Sequence, residues 1–172
     1  MPEIAHSVSP ESPPVAAAEA RAVAPLSVGS MQAVTYSRLL TASSNSLLVD
    51  VAALLSSAQI SVVVVCDADD APLGIITETM LIKRLGLGQA NFFTTHASEI
   101  MSRAYVSCAP EDLLSDVLAK MHELGLIQVL LVGSNGKVLG VLNARDGLRA
   151  LLAAGNHEEA LLRNYVMGIG YQ

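Results

Sequence analysis

Three polar residues stand close together in the stretch from Gly140 to Leu152, GVLNARDGLRALL. Asn143 is a good helix N-cap residue, because its side chain accepts a hydrogen bond from a backbone N–H of the first turn. The start of a helix attracts phosphate, and the guanidinium of Arg145 can bind phosphate oxygens in a bidentate manner. One turn into the helix, the carboxylate of Asp146 can accept hydrogen bonds from a vicinal diol, which a ribose presents.

Each of these residues also has a structural interpretation. Asp146 can stabilise the start of its helix by about 0.3–1 kcal/mol. Arg145 can be a solvated surface arginine, and Asn143 caps the helix with or without a ligand. A fourth polar residue, Gln128, opens the neighbouring apolar strand and could donate its amide hydrogens to phosphate or ribose.

A second stretch, GIITETMLIKRLG from Gly74 to Gly86, has the same layout with different polar residues. Thr77 can cap its helix, but Glu78 would repel phosphate. Met80 stands where the other stretch has Asp146, and a thioether cannot accept from a diol. We therefore predict a degenerate second pocket at Thr77 and Met80, with Met80 filling a closed cleft, and one bound nucleotide per chain. A ligand without free ribose hydroxyls, or an apolar ligand, is the alternative.

The remaining reactive residues are too scattered to predict a catalytic or metal site. The four histidines lie far apart, and none has zinc-ligand spacing with a cysteine or an acid. We find neither a Ser/His/Asp set nor a P-loop motif. Cys66 and Cys108 are expected to be reduced and to serve as small buried hydrophobic residues. We predict that the protein is not an enzyme and binds no metal.

The composition limits the partners. The 172 residues have a net charge of −6, a pI near 5.1 and only 3% aromatic side chains. Nucleic-acid binding needs clustered Lys and Arg, or rings that stack on bases, so we expect no nucleic-acid partner. The apolar runs are too short to span a bilayer, and the N-terminus lacks the features of a secretory signal. We expect a cytoplasmic protein with no membrane partner.

The elements that position these motifs occur twice. Gly140 follows Gly74 by 66 residues, and the same offset aligns SLLVDVAALL (residues 46–55) with DLLSDVLAKM (residues 112–121) without a gap. In each copy, leucines and valines at helical spacing predict an amphipathic helix. The apolar runs SVVVVC and QVLLVG predict strands buried on both faces. Each copy also has a short extended piece in front (Arg38–Thr41 or Tyr105–Cys108), and a turn, a return strand and a second helix behind. The order of elements in each copy is therefore β-α-β-β-α.

We divide the chain into four parts. Residues 1–27 contain prolines that interrupt helices, and predict a disordered arm, with a docking segment as the alternative. Residues 28–90 and 91–155 are the two repeats, which we treat as one folding unit because neither alone could bury its valines. Residues 156–172 predict a C-terminal helical tail, with a short helix over residues 158–166 that caps the module or forms a self-association face.

The pattern resembles the CBS domain pair, often called a Bateman module. The resemblance covers roughly residues 30–153 and rests mainly on SEIMSRAYVSCAPEDLLSDVLAKMHELGLIQVLLVGSNGKVLGVLNARDGLRALL, whereas the earlier copy is more divergent but keeps the helix, the buried strand and GIIT. The chain is similar to the stand-alone CBS proteins of bacteria. The resemblance implies an α+β fold, with two tandem β-α-β-β-α repeats packed sheet to sheet as one pseudo-twofold module.

The resemblance also implies a ligand. CBS pairs hold AMP, ADP or ATP, and sometimes NAD or S-adenosylmethionine, in clefts between the repeats, and the Asp of the motif binds the ribose hydroxyls. Asp146 matches that Asp. The geometry of the family then places the adenine in a slot that draws on the opposite repeat, at Ile60, Ser61, Val62, Tyr36 and Ser37. Family members commonly form dimers, so a homodimer is expected.

Two functions follow from this resemblance. The first is a cytosolic ligand or energy sensor, in which binding changes how the repeats pack and an unknown regulated protein or a dimer face responds to the change. The alternative is a structural or dimerisation module that binds no nucleotide. The absence of a carboxylate at Met80 and the apolar tail favour this alternative.

Overall fold

The computed structural model of the chain describes residues 25–88 and 91–168. Most of the predicted N-terminal arm therefore lies outside the described residues. After a 3-10 turn at Val28–Met31, the elements follow in this order: α1 (Gln32–Ser37), β1 (Thr41–Ser43), α2 (Leu48–Ala58), β2 (Val62–Cys66), β3 (Pro72–Thr77), α3 (Glu78–Gly86), α4 (Ala97–Ile100), β4 (Ser107–Cys108), α5 (Leu114–Glu123), β5 (Gln128–Val132), β6 (Val138–Asn143) and α6 (Ala144–Gly168).

The strands form two three-stranded sheets with the same topology. The first sheet has the order β1-β2-β3 and the second β4-β5-β6, with the first pair parallel and the second antiparallel in each. The register shifts between Val65 and Cys66 in one sheet and at the equivalent step between Leu131 and Val132 in the other. The predicted α+β fold with two β-α-β-β-α repeats is thus confirmed.

The central strand of the first repeat is buried on both faces, as its unbroken valines predict. Val63 and Val65 pack with Leu48, Leu55 and the other core residues of their own repeat. The alternate residues of the strand face the second repeat, because successive side chains of a strand point in opposite directions. Together with residues of β5 and β6 they form the layer between the sheets. We call it the interface layer, and it consists of Val62, Val64, Cys66, Leu130, Val138 and Val141.

Each repeat places its leading helix on the other repeat. Val28 and Met31, just before and at the start of α1, belong to the core that contains Leu114, Leu131 and Leu142 of the second repeat. Likewise, Ala97 of α4 is buried in the core of the first repeat, and Met101 packs against that core. Residues 28–37, assigned from the sequence to the first repeat, therefore complete the hydrophobic core of the second.

Glycine makes this close packing feasible. A Cβ added to Gly140 of β6 would lie 2.7 Å from the backbone carbonyl carbon of Thr35, and one added to Gly74 of β3 would lie 2.7 Å from the carbonyl oxygen of Ser102. Only a residue without a side chain lets another backbone come so near. These two glycines are the ones that begin the repeated motif of the sequence.

The last helix is longer than the sequence indicates. A break at Gly155 and a separate short helix over residues 158–166 were predicted, but α6 is one helix of 25 residues, Ala144–Gly168. A single glycine weakens a helix interior by only about 1 kcal/mol, which neighbouring residues with high helix propensity can offset. Among the described residues, no helix combines the length and the apolar character needed to cross a bilayer.

Both cysteines are free and buried, with 6% of Cys66 and 8% of Cys108 exposed. Burial raises the pKa of each thiol from 9.0 to about 11, helped by the nearby carboxylates of Asp70 and Asp67 for Cys66 and of Asp112 for Cys108. Thiols whose pKa is raised by folding stay protonated in the native protein while those of the unfolded chain ionise. They stabilise the fold fully below pH 9, and this contribution is lost as the pH rises towards 11.

We therefore expect the free energy of unfolding to fall more steeply between pH 9 and pH 11 in the wild type than in a Cys66→Ala, Cys108→Ala double variant. The expected difference is about 1–2 kcal/mol at pH 10, allowing for solvent screening of partly accessible thiols. Urea unfolding followed by circular dichroism at several pH values measures it. Parallel pH profiles for the two proteins would contradict the expectation.

Candidate functional site

The predicted motif lies where β6 ends and α6 begins. The side-chain oxygen of Asn143 accepts a hydrogen bond of 2.9 Å from the backbone N–H of Arg145, which is the capping interaction expected from its residue type. The backbone N–H of Ala144 donates to the carbonyl oxygen of Ile127, also at 2.9 Å, and this bond ties the start of α6 to the start of β5. Both bonds lie within the second repeat and fix the motif at the junction of β6 and α6.

Asp146 is buried and already has a partner. Only 9% of its surface is exposed, and its Oδ2 accepts a charge-assisted hydrogen bond from Nε of Arg38, at the C-terminal end of α1. Sequence reasoning missed this arginine. The available signal was that Arg38 is the only Lys or Arg between Arg21 and Lys83, so it is the one cation that the leading segment of the first repeat can offer.

The first cavity beside the motif has a volume of about 370 Å³, and we call it the Ser61 cavity. It lies between the repeats, and the side-chain amide of Gln128 donates to Oγ of Ser61 across it at 3.3 Å. Of the predicted site residues, it brings together Ile60, Ser61, Gln128 and Asn143, and to these it adds Arg38, Leu55, Ser56, Gln59 and Glu78.

A second cavity, of about 630 Å³, lies along the first turns of α6, and we call it the Arg145 cavity. Its charged lining among the residues that the structure describes consists of Arg38, Arg145 and Arg149, with no acidic residue among them. Arg145 and Arg149 are one helical turn apart, so both side chains lie on the same face of α6. An anionic group is therefore favoured in this cavity.

Three predicted residues lie elsewhere. Tyr36 and Ser37 belong to α1 rather than to an extended segment; Tyr36 is 69% exposed, and the hydroxyl of Ser37 donates to the carbonyl oxygen of Val34 at 2.7 Å. Strand β1 begins only at Thr41, so the predicted extended piece starting at Arg38 is wrong. Val62 belongs to the interface layer and does not line the Ser61 cavity; it lines the cavity described next.

The Thr77 cavity, of about 440 Å³, adjoins the Ser61 cavity, with which it shares Ser61, Glu78 and Gln128 as lining residues. Its lining is mostly apolar, with Thr77, Glu78, Tyr105 and Gln128 among its polar residues. Oγ1 of Thr77 accepts from the backbone N–H of Met80 at 3.3 Å and so caps α3. Met80 does not line the cavity, so the cleft is open and not filled by that side chain. Loss of nucleoside binding there stays a prediction.

The acidic and sulfur-containing side chains do not converge. Within residues 25–88 and 91–168, no group of three or more His, Cys, Asp or Glu residues is arranged to hold a metal ion. The junction of the repeats instead holds one buried carboxylate bonded to Arg38, and the capped start of α6 beside a cavity lined by three arginines.

Comparison with known proteins gives a family match in two segments. The profile of the CBS domain matches residues 32–87 and residues 97–153, which together make up more than half of the chain. An uncharacterized protein of Methanopyrus kandleri is 26% identical over 111 residues. That alignment covers 64% of this chain and 57% of the relative, so the chain spans little more than half of the relative's length.

Solved structures share the fold. CBSX2 of Arabidopsis thaliana, a CBS-pair protein, is 16% identical with a TM-score of 0.66, and the match covers 77% of this chain and 98% of that one. The same protein has a structure in complex with AMP (18% identity, TM-score 0.63, 75% and 98% covered). The CBS domain pair of protein MJ0100, in complex with 5′-methylthioadenosine and S-adenosyl-L-methionine, is 21% identical with a TM-score of 0.62 and coverage of 76% and 98%.

Proposed function

The chain belongs to the CBS domain family, and from this premise we propose that it is a regulatory module that binds an adenosine-containing nucleotide beside Asp146. The candidates are AMP, ADP and ATP, with NAD and S-adenosylmethionine as further adenosine ligands. The observation that carries the proposal is a buried carboxylate in the first turn of α6 that is bonded to Arg38, a residue that lines both the Ser61 cavity and the Arg145 cavity. The complexes of CBSX2 with AMP and of MJ0100 with adenosine compounds support it.

The two cavities suggest how the ligand lies. Ile60 and Leu55 give the Ser61 cavity an apolar wall suited to a flat base, whereas Glu78 there would repel phosphate. The Arg145 cavity presents Arg145, Arg149 and the start of α6, which attract phosphate. We therefore place the adenine in the Ser61 cavity, the phosphates in the Arg145 cavity and the ribose between them, within reach of Asp146.

In this function the protein acts by binding and catalyses no reaction. A nucleotide that contacts Ser61 of one repeat and Asp146 of the other would stabilise one arrangement of the two repeats, which is a shift of population. We propose a cytoplasmic homodimer that transmits this shift to a regulated protein. Exposed apolar side chains on α3, Ile82 and Leu85, are suited to such contacts.

A second candidate function is supported by the bond between Arg38 and Asp146. Because the carboxylate already has a cationic partner, the module is electrostatically satisfied without a ligand. The protein would then act only as a structural or dimerisation module. Nucleotide titration separates the two functions, because a purely structural module would show no heat of binding and no thermal stabilisation with any adenine nucleotide.

The decisive experiment compares the wild type with Asp146→Asn by calorimetric titration of AMP, ADP and ATP. An amide has one acceptor oxygen and no charge, so it cannot offer a separate charged oxygen to each ribose hydroxyl. We expect affinity to fall by about 10-fold to 100-fold, which corresponds to the loss of charged hydrogen bonds. Asp116→Asn is the matched control, since Asp116 is an exposed aspartate on α5 away from the cavities. Equal affinities for the wild type and both variants would contradict the proposal.

A further inference from the structure

Arg38 lines both the Ser61 cavity and the Arg145 cavity and is bonded to Asp146. The Ser61 cavity and the Arg145 cavity have only two lining residues in common, Arg38 and Asn143. Asn143 is held by its capping bond at the start of α6, whereas the side chain of Arg38 is 36% exposed and is anchored by its bond to Asp146. Asp146 itself lines neither cavity, and its carboxylate is covered by this bond; departure of the guanidinium would free its Oδ2 for a ligand.

The same bond blocks the acceptor that a ribose would need. Oδ2 of Asp146 is occupied by Nε of Arg38, and a guanidinium bound to a carboxylate forms one of the stronger pairs in proteins. A ribose diol is neutral. If it bound to Asp146 on its own, the carboxylate would exchange the charged guanidinium donor for two uncharged hydroxyl donors. The guanidinium would then lose its anion inside a partly closed cleft, which is unfavourable.

A phosphate removes this penalty. Arg38 lines the Arg145 cavity as well as the Ser61 cavity, so its guanidinium can turn from the carboxylate to an anion bound next to Arg145. Phosphate is a bidentate partner for arginine of the same kind as carboxylate. The exchange leaves both charged groups satisfied, with Arg38 on the phosphate and Asp146 on the ribose.

We propose that Arg38 is the specificity-determining residue of this site: it withholds Asp146 from nucleosides that lack phosphate and releases it to those that carry phosphate. The inference rests on the proposed function and deepens it, because it names the ligand class as phosphorylated nucleosides. Discrimination of this kind combines an attraction for the correct ligand with a penalty for the wrong one.

The test is the preference for AMP over adenosine in the wild type and in Arg38→Gln. Glutamine lacks the charge and is shorter, so it neither competes strongly for Asp146 nor holds phosphate. We expect adenosine to bind about tenfold more tightly to the variant than to the wild type and AMP to bind about tenfold more weakly, each change being about 1.4 kcal/mol. The preference for AMP would thus fall by about two orders of magnitude. The preference of Arg38→Lys for AMP over adenosine should lie between that of the wild type and that of Arg38→Gln.

Arg103→Gln is the matched control, because Arg103 is exposed and lines none of the described cavities; it should keep the wild-type preference. If Arg38→Gln loses affinity for AMP without gaining affinity for adenosine, Arg38 only contacts phosphate and the exchange is refuted. Unchanged affinities for both ligands would also refute it, while the proposed function would stand. Absence of binding by every protein to either ligand would overturn the proposed function itself.

Discussion

Gly140→Ala is expected to lower the free energy of unfolding by about 2–4 kcal/mol. The new methyl group would lie 2.7 Å from the carbonyl carbon of Thr35 and 2.8 Å from its oxygen. These are backbone atoms, so no side chain can rotate away and α1 itself has to lift from β6. Lifting α1 exposes Val28 and Met31, which are 0% and 7% exposed in the native protein, and removes part of the core of the second repeat.

Gly155→Ala is the matched control for this prediction. Gly155 lies inside α6 with no atom within 4 Å of an added Cβ, and alanine in a helix interior is more stable than glycine by roughly 0.5–1 kcal/mol. Replacing glycine by alanine should therefore stabilise the protein at Gly155 and destabilise it at Gly140. Urea unfolding followed by circular dichroism measures both. A Gly140→Ala variant as stable as the wild type would show that α1 does not pack against β6.

Val64→Asp is expected to have the second large effect, by placing a carboxylate in the interface layer. Val64 is fully buried, between the two sheets, and its side chain contacts residues of both repeats. An isolated charge there has no partner and either stays ionised at a high energy or takes up a proton. We expect a loss of about 4 kcal/mol or more, which is a large part of the roughly 5–15 kcal/mol by which an ordinary domain is stable.

The control for this variant is Val34→Asp on α1, where 43% of the valine is already exposed and the change should stay within about 1 kcal/mol. Size-exclusion chromatography and circular dichroism distinguish an unfolded Val64→Asp variant from a folded one. A folded, cooperative Val64→Asp protein with wild-type stability would mean that the two sheets are not in contact.

The repeat made the fold predictable. A constant offset of 66 residues fixed which segments are equivalent, and the unbroken valines of β2 required cover on both faces. Both inferences use the order of apolar and polar residues within short segments of the chain, and this order is what a hydrophobic pattern records. The exchange of leading helices carries no such signal, because the contact of Thr35 with Gly140 joins residues far apart in the chain.

The site was predictable in part for the same reason. Asn143 is recognised from its place before a helix, and its capping bond is present. Ile60 and Ser61 follow from the resemblance and line a cavity with Gln128. Tyr36 and Ser37 were misplaced because a short helix was taken for an extended segment. Arg38 was missed because its partner, Asp146, comes from the other repeat.

The exchange of leading helices has a consequence for biosynthesis. Thr35 leaves the ribosome 105 residues before Gly140, and synthesis at about 5–20 residues per second makes that interval roughly 5–20 s. Until β6 emerges, Val28 and Met31 have no core to enter, and the core of the first repeat likewise waits for Ala97. Nascent chains therefore expose these apolar segments during this interval, and the Arg145 cavity forms only when translation has passed the first turns of α6.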